Sequence, residues 1–97
     1  MQKLSTEEID SRLAELPGWK LENGTIVKDF GFKGFTTAIE FMNRLVPIAE
    51  KLNHHPEWTN SYNRVLVTLT THSAHGLSKN DFTFAKAAEE VAAQLQR

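Results

Sequence analysis

The sequence predicts an α+β fold: a four-stranded antiparallel sheet with three helices packed on one face, in the order α-β-β-α-β-β-α. Three observations carry that prediction. Residues 19–22 and 62–72 alternate side chains with the period of two that marks half-buried strands. Three other stretches place apolar residues three and four apart, the spacing of helices. Asn23-Gly24 joins the first two strands as a tight hairpin, which makes them antiparallel neighbours.

The first helix is announced by Ser5 and Glu8 at capping-box spacing, with Leu4 and Ile9 placed as a hydrophobic staple. Ile9, Leu13 and Leu16 continue one helical face until Pro17-Gly18 stops it. Trp19 and Leu21 alternate with Lys20 and Glu22, and the return strand runs from Thr25 to Phe32 with Ile26, Phe30 and Phe32 on one side. The second helix is expected from Phe35 to Leu52. Phe35, Ile39, Met42, Val46 and Ala49 form one apolar stripe on it, and Phe41, Leu45, Ile48 and Leu52 form another. Together they exceed the roughly 100° arc that docks a helix on one sheet. Either the helix is deeply seated, or the first stripe meets the sheet and the second meets another subunit. Pro47 lies on the polar arc and is expected to kink the helix without ending it.

Trp58 and Thr59 begin a short strand. In the next, Val65, Val67 and Leu69 point to the core, while Arg64, Leu66, Thr68, Thr70 and a strand-ending His72 point away. Ser78 is expected to cap the last helix with Asp81 at its third position, stapled by Leu77 and Phe82. Phe84, Ala88, Val91 and Leu95 give that helix its buried stripe. No repeat, linker or low-complexity segment interrupts residues 1–97, which read as a single domain.

Composition narrows the function. Eleven basic and twelve acidic residues give a net charge of -1, which offers no bulk attraction to nucleic acid or to an acidic membrane. No apolar run approaches the roughly 18 residues of a membrane span, and the polar N-terminus lacks a signal-peptide core. Without cysteine there is no disulfide, thiolate metal site or cysteine nucleophile. The expectation is a cytoplasmic globular protein.

The stretch KLNHHPEW is the chemical signal. Pro56 drives His55 out of helical geometry, so His54 and His55 sit on a constrained loop at the end of the second helix. Adjacent residues of an extended chain point to opposite sides, so both serve one pocket only if the loop bends. Imidazole donates or accepts protons near neutrality, which suits an acid–base set. Loop histidines bonded to backbone are the plain alternative. A metal site drawing on His72 and His75 is another, although HExxH and cysteine ligands are absent. Asp81 has both a capping reading and a functional one; Glu50 is equally a solvated residue, and Trp58 equally a core residue.

Taken together, EKLNHHPEW, YNRVLVTLTTH and GLSKND resemble the pterin-4a-carbinolamine dehydratases, in the order and spacing of that family. The resemblance runs from the Trp19 strand through the last helix. It implies an enzyme that converts 4a-hydroxytetrahydrobiopterin to quinonoid dihydrobiopterin, recycling the cofactor of aromatic amino acid hydroxylases. It implies the same four-stranded sheet with three helices, a homodimer or homotetramer, and no metal or other cofactor. His54, His55 and His72 match the family's active-site histidines. Glu50 and Asp81 match acidic positions near them, and Pro56 and Trp58 complete the signature. His75 falls in a variable segment and takes no role. The division expected is proton transfer by His54 and His72, with His55 orienting the pterin. Because some animal relatives also serve as dimerisation cofactors of a transcription factor, a non-catalytic binding module is the alternative.

Overall fold

The computed structural model describes residues 2–96. Its elements follow the predicted order: α1 (Thr6–Leu13), β1 (Lys20–Glu22), β2 (Thr25–Gly31), α2 (Phe35–Leu52), β3 (Glu57–Ser61), β4 (Arg64–Leu69) and α3 (Lys79–Leu95). A single 3₁₀ turn, His72–Ala74, separates β4 from α3. All strand pairs are antiparallel, in the spatial order β1-β2-β4-β3. Asn23 and Gly24 both take positive φ (48° and 77°), the twist that a two-residue hairpin requires.

Alternation sorts the sheet into two faces. Ile26 and Phe30 of β2 and Val65, Val67 and Leu69 of β4 are buried, whereas Leu66 between them is 42% exposed. Against the buried face lie Phe41 and Leu45 of α2 and Phe84, Ala85 and Ala88 of α3, all fully buried. Leu4, Ile9 and Leu13 close the same core from the side of α1. Burying an aliphatic or aromatic side chain of this size stabilises the fold by about 1.5–3 kcal/mol.

Three expectations need correction. The stripe assigned to another subunit is the core: Phe41 lies 4.8 Å in centroid distance from both Phe30 and Phe32, and Leu45 is sealed. The stripe expected on the sheet is partly bare instead, with Phe35 51% and Val46 48% exposed. The sheet selects whichever arc meets its two β2-side phenylalanines, and spacing along one helix does not contain that information. Second, β4 ends at Leu69, and His72 opens the 3₁₀ turn rather than closing a strand. Third, α1 ends at Leu13. Glu15 and Leu16 bond back only three residues, to Arg12 and Leu13, so the tightened chain delivers Leu16 to the core just before Pro17. The second helix otherwise has its predicted bounds and passes through Pro47 unbroken. No helix among the described residues is long and apolar enough to cross a membrane.

Candidate active site

The C-terminus of α2 decides where the two adjacent histidines go. Asn53 adopts a left-handed conformation (φ 48°), a common way to end a helix, and its amide bonds back to the Ala49 and Glu50 carbonyls. The His54 amide follows with a 2.9 Å bond to Ala49 O, turning the chain across the helix end. From there His54 points inward and is 8% exposed, while the His55 side chain is 59% exposed. Pro56 keeps His55 from continuing as helix. The pair is split, one imidazole inside and one outside.

His54 meets a carboxylate from another helix. Its Nε2 lies 2.5 Å from Asp81 Oδ1 at the first turn of α3, 27 residues away in sequence. Asp81 is fully buried. Its second oxygen accepts from Thr71 Oγ1 (2.8 Å) and from the Ser78 amide (2.9 Å), and the Thr71 and Ser78 hydroxyls are 2.6 Å apart. The capping role and the functional role of Asp81 are therefore not alternatives. One oxygen helps to cap α3, and the other holds a histidine. A buried carboxylate is tolerated in the interior when hydrogen bonds replace water, and here both oxygens accept them, three in all. No buried side-chain nitrogen or oxygen among the described residues lacks a partner.

His55 and His72 open on the same space. With Pro56, Glu57, Thr68 and Thr70 they line a cleft of about 240 Å³ at the end of the β3–β4 ladder. His55 Nε2 is 2.6 Å from Glu50 Oε2, an exposed pair that water screens strongly. A larger recess, about 420 Å³, lies between α1 and α3 beside Arg12, Leu16, Phe82 and Lys86, but no histidine reaches it. The smaller cleft is the one that imidazoles line.

Of the seven residues expected at the site, His55, Pro56 and His72 line the cleft. Glu50 is joined to it through His55, while His54, bonded to Asp81, adjoins His55 in the chain without lining the cleft. Trp58 does not line the cleft. Its partner across the ladder is Val67, and its half-buried ring packs on the core. His75 caps the 3₁₀ turn in a left-handed conformation (φ 58°) and is exposed. Sequence reading passed over Thr71, Glu57, Thr68 and Thr70. Thr71 had a readable signal, because it continues the odd-numbered inward row of Val65, Val67 and Leu69 with a hydroxyl. Thr68 and Thr70 share the parity of His72 and were legible as its neighbours. Among the described residues no cluster of three or more His, Cys, Asp or Glu side chains is placed to hold a metal ion.

Comparison with known proteins identifies the family. The family model described as pterin 4 alpha carbinolamine dehydratase matches residues 2–91. A relative from Rhizobium johnstonii, provisionally named as such a dehydratase, is 48% identical over 97% of this chain and 95% of its own. One from Novosphingobium aromaticivorans, named likewise, is 55% identical over 90% of this chain and 93% of its own. Among solved structures, a transcriptional coactivator/pterin dehydratase from Brucella melitensis superposes with a TM-score of 0.91 at 42% identity, covering 94% of this chain and 99% of that one. A pterin dehydratase-like RuBisCO assembly factor shares the fold alone, at 19% identity and a TM-score of 0.63 over 76% of this chain and 86% of its own. A match across nearly the whole chain, at the identities of the first two relatives, places this protein in the pterin-4a-carbinolamine dehydratase family.

Proposed function

We propose that this protein dehydrates a pterin 4a-carbinolamine, 4a-hydroxytetrahydrobiopterin, to the quinonoid dihydropterin by histidine acid–base catalysis. The observation that carries the reading is the pairing of a buried, carboxylate-held imidazole with a cleft that two further imidazoles line. The reaction breaks the C–O bond at the carbinolamine carbon. The lone pair of the adjacent ring nitrogen forms the C=N bond, the N–H proton passes to a base, and the departing hydroxyl takes a proton from an acid. No electrons are gained or lost, and water is the only other product. His54, oriented by Asp81, and His72 serve as the proton-transfer pair, and each such group contributes about 10²–10⁴-fold. His55, steadied by Glu50, orients the pterin, and Pro56 fixes the loop that presents it.

Recycling of the hydroxylase cofactor, a cytoplasmic setting and a homodimer or homotetramer complete the reading. A partner-binding role is the alternative, and the bare Phe35 and Val46 on α2 favour it in part. Stopped-flow dehydration of freshly generated 4a-hydroxytetrahydropterin separates the two. The wild-type protein should accelerate water loss, and His72→Ala, an exposed substitution, should lower the rate at least about tenfold without unfolding the chain. A wild-type protein that leaves the uncatalysed rate unchanged would sink the enzymatic reading and leave the binding role standing.

A further inference from the structure

The polar network around Asp81 has a direction, which follows from the placement of its protons. A carboxylate only accepts, so Thr71 Oγ1 and the Ser78 amide both donate to Asp81 Oδ2. Thr71 has one hydroxyl proton, and it is committed there. The 2.6 Å contact between the Thr71 and Ser78 hydroxyls is therefore made by the Ser78 proton. By the same rule Asp81 Oδ1 accepts from His54, which sets a proton on Nε2. His54 Nδ1 makes no hydrogen bond to a described residue. Among the described residues no buried side-chain nitrogen or oxygen lacks a partner, so Nδ1 is not a sealed, unsatisfied atom.

Thr71 also holds the other histidine through its backbone. Its amide bonds to Gly76 O (3.0 Å), and its carbonyl accepts from Ala74 N (3.0 Å) and Gly76 N (3.4 Å). These bonds close the turn on which His72 stands. A valine at position 71 would extend the row of Val65, Val67 and Leu69 without burying a hydroxyl, so packing alone gives no reason for threonine here.

We infer that Thr71 is a positioning residue for both histidines. Its hydroxyl, backed by Ser78, fixes the Asp81 carboxylate so that His54 keeps its proton on Nε2 and presents Nδ1 as an acceptor. Its backbone clamps the turn that carries His72. The kinetic consequence rests on the dehydration reading above, whereas the tautomer does not.

Nitrogen-15 NMR of histidine-labelled protein tests the tautomer without any substrate. Wild-type His54 in its neutral form should show a pyrrole-like Nε2 and an imine-like Nδ1; a neutral ring with its proton on Nδ1 instead would overturn the inference, whatever the activity. Thr71→Val should mix the tautomers, lower kcat about tenfold and leave KM within about twofold, and Thr71→Ser should restore both. Ser78→Ala, which keeps the Thr71 donor, should perturb the His54 signals less than Thr71→Val. Thr71→Val with a wild-type spectrum and kcat would show that the hydroxyl does no more than stabilise the interior. Loss of folding in Thr71→Val leaves the wild-type and Thr71→Ser spectra to decide, since Thr71→Ser must retain the Nε2 proton. If wild-type protein shows the expected tautomer but no dehydration, the function fails and the positioning stands.

Discussion

Replacing Asp81 with alanine removes the acceptor of three donors at once: His54 Nε2, Thr71 Oγ1 and the Ser78 amide. The carboxylate is fully buried, so water does not take its place without rearrangement. Each orphaned donor costs about 1–3 kcal/mol. Breaking a buried pair by deleting one member costs about 3–5 kcal/mol. The two estimates overlap at about 3–5 kcal/mol, a large share of the roughly 5–15 kcal/mol that holds a small domain folded. For a domain of this size each kcal/mol moves the thermal midpoint by about 4–8 °C, so Asp81→Ala should melt at least about 12 °C lower. Asp81→Asn separates folding from chemistry. Its amide oxygen still accepts from Thr71 and Ser78, but its NH₂ faces His54 Nε2 and drives the imidazole proton to Nδ1. Stability should then fall by only about 1–3 kcal/mol, while dehydration falls about 10²-fold or more. Urea titration followed by tryptophan fluorescence reads the first quantity, and stopped-flow absorbance reads the second. An Asp81→Ala protein within about 1 kcal/mol of wild type would refute the argument that this carboxylate is held by three protein donors.

Other outcomes follow from the same geometry. Leu45→Glu places a charge at a sealed core position and should unfold the domain, whereas Val46→Glu, on the exposed stripe one residue on, should change stability by no more than about 0.5 kcal/mol; circular dichroism of the two variants checks this. Glu8 is held below its ordinary value of 4.5, first by the Ser5 amide, then by the Ser5 side chain and Arg12. A depressed carboxylate adds stability above its unfolded value and loses it as pH falls through the folded one. The advantage of wild type over Glu8→Gln should therefore be present at neutral pH and vanish well below 4.5 in paired denaturation curves. Dehydration should survive exhaustive chelation, and activity lost to chelator and restored by zinc would return a metal to the reaction.

The parts of the fold that were legible are those set by neighbours in sequence. Asn23-Gly24 determined a hairpin because only the backbone freedom of those two residues was in question. The bounds of α2 were readable because Phe35 and Leu52 mark the limits of an unbroken helical period. Which side of α2 would be buried was not, since that depends on Phe30 and Phe32 arriving from another element. The end of α1 likewise yielded to Pro17 three residues earlier than spacing alone suggested.

The candidate site divides along the same line. That His54 and His55 would point to opposite sides follows from chain geometry, but which faces inward depends on the left-handed turn at Asn53. Once His54 is inside, an unpaired imidazole would be costly to bury. The partner comes from a distant element, because the polar side chains nearest in sequence, Glu50, Lys51, Asn53 and His55, are exposed. Asp81 meets that demand from the first turn of α3, where its carboxylate also accepts from the N-cap amide of Ser78. Histidine, aspartate and threonine thus stabilise each other in the interior, and none of the three would be tolerable there alone. The bond to Asp81 that satisfies the buried His54 ring also holds it in one orientation, as the proposed proton-transfer role would require.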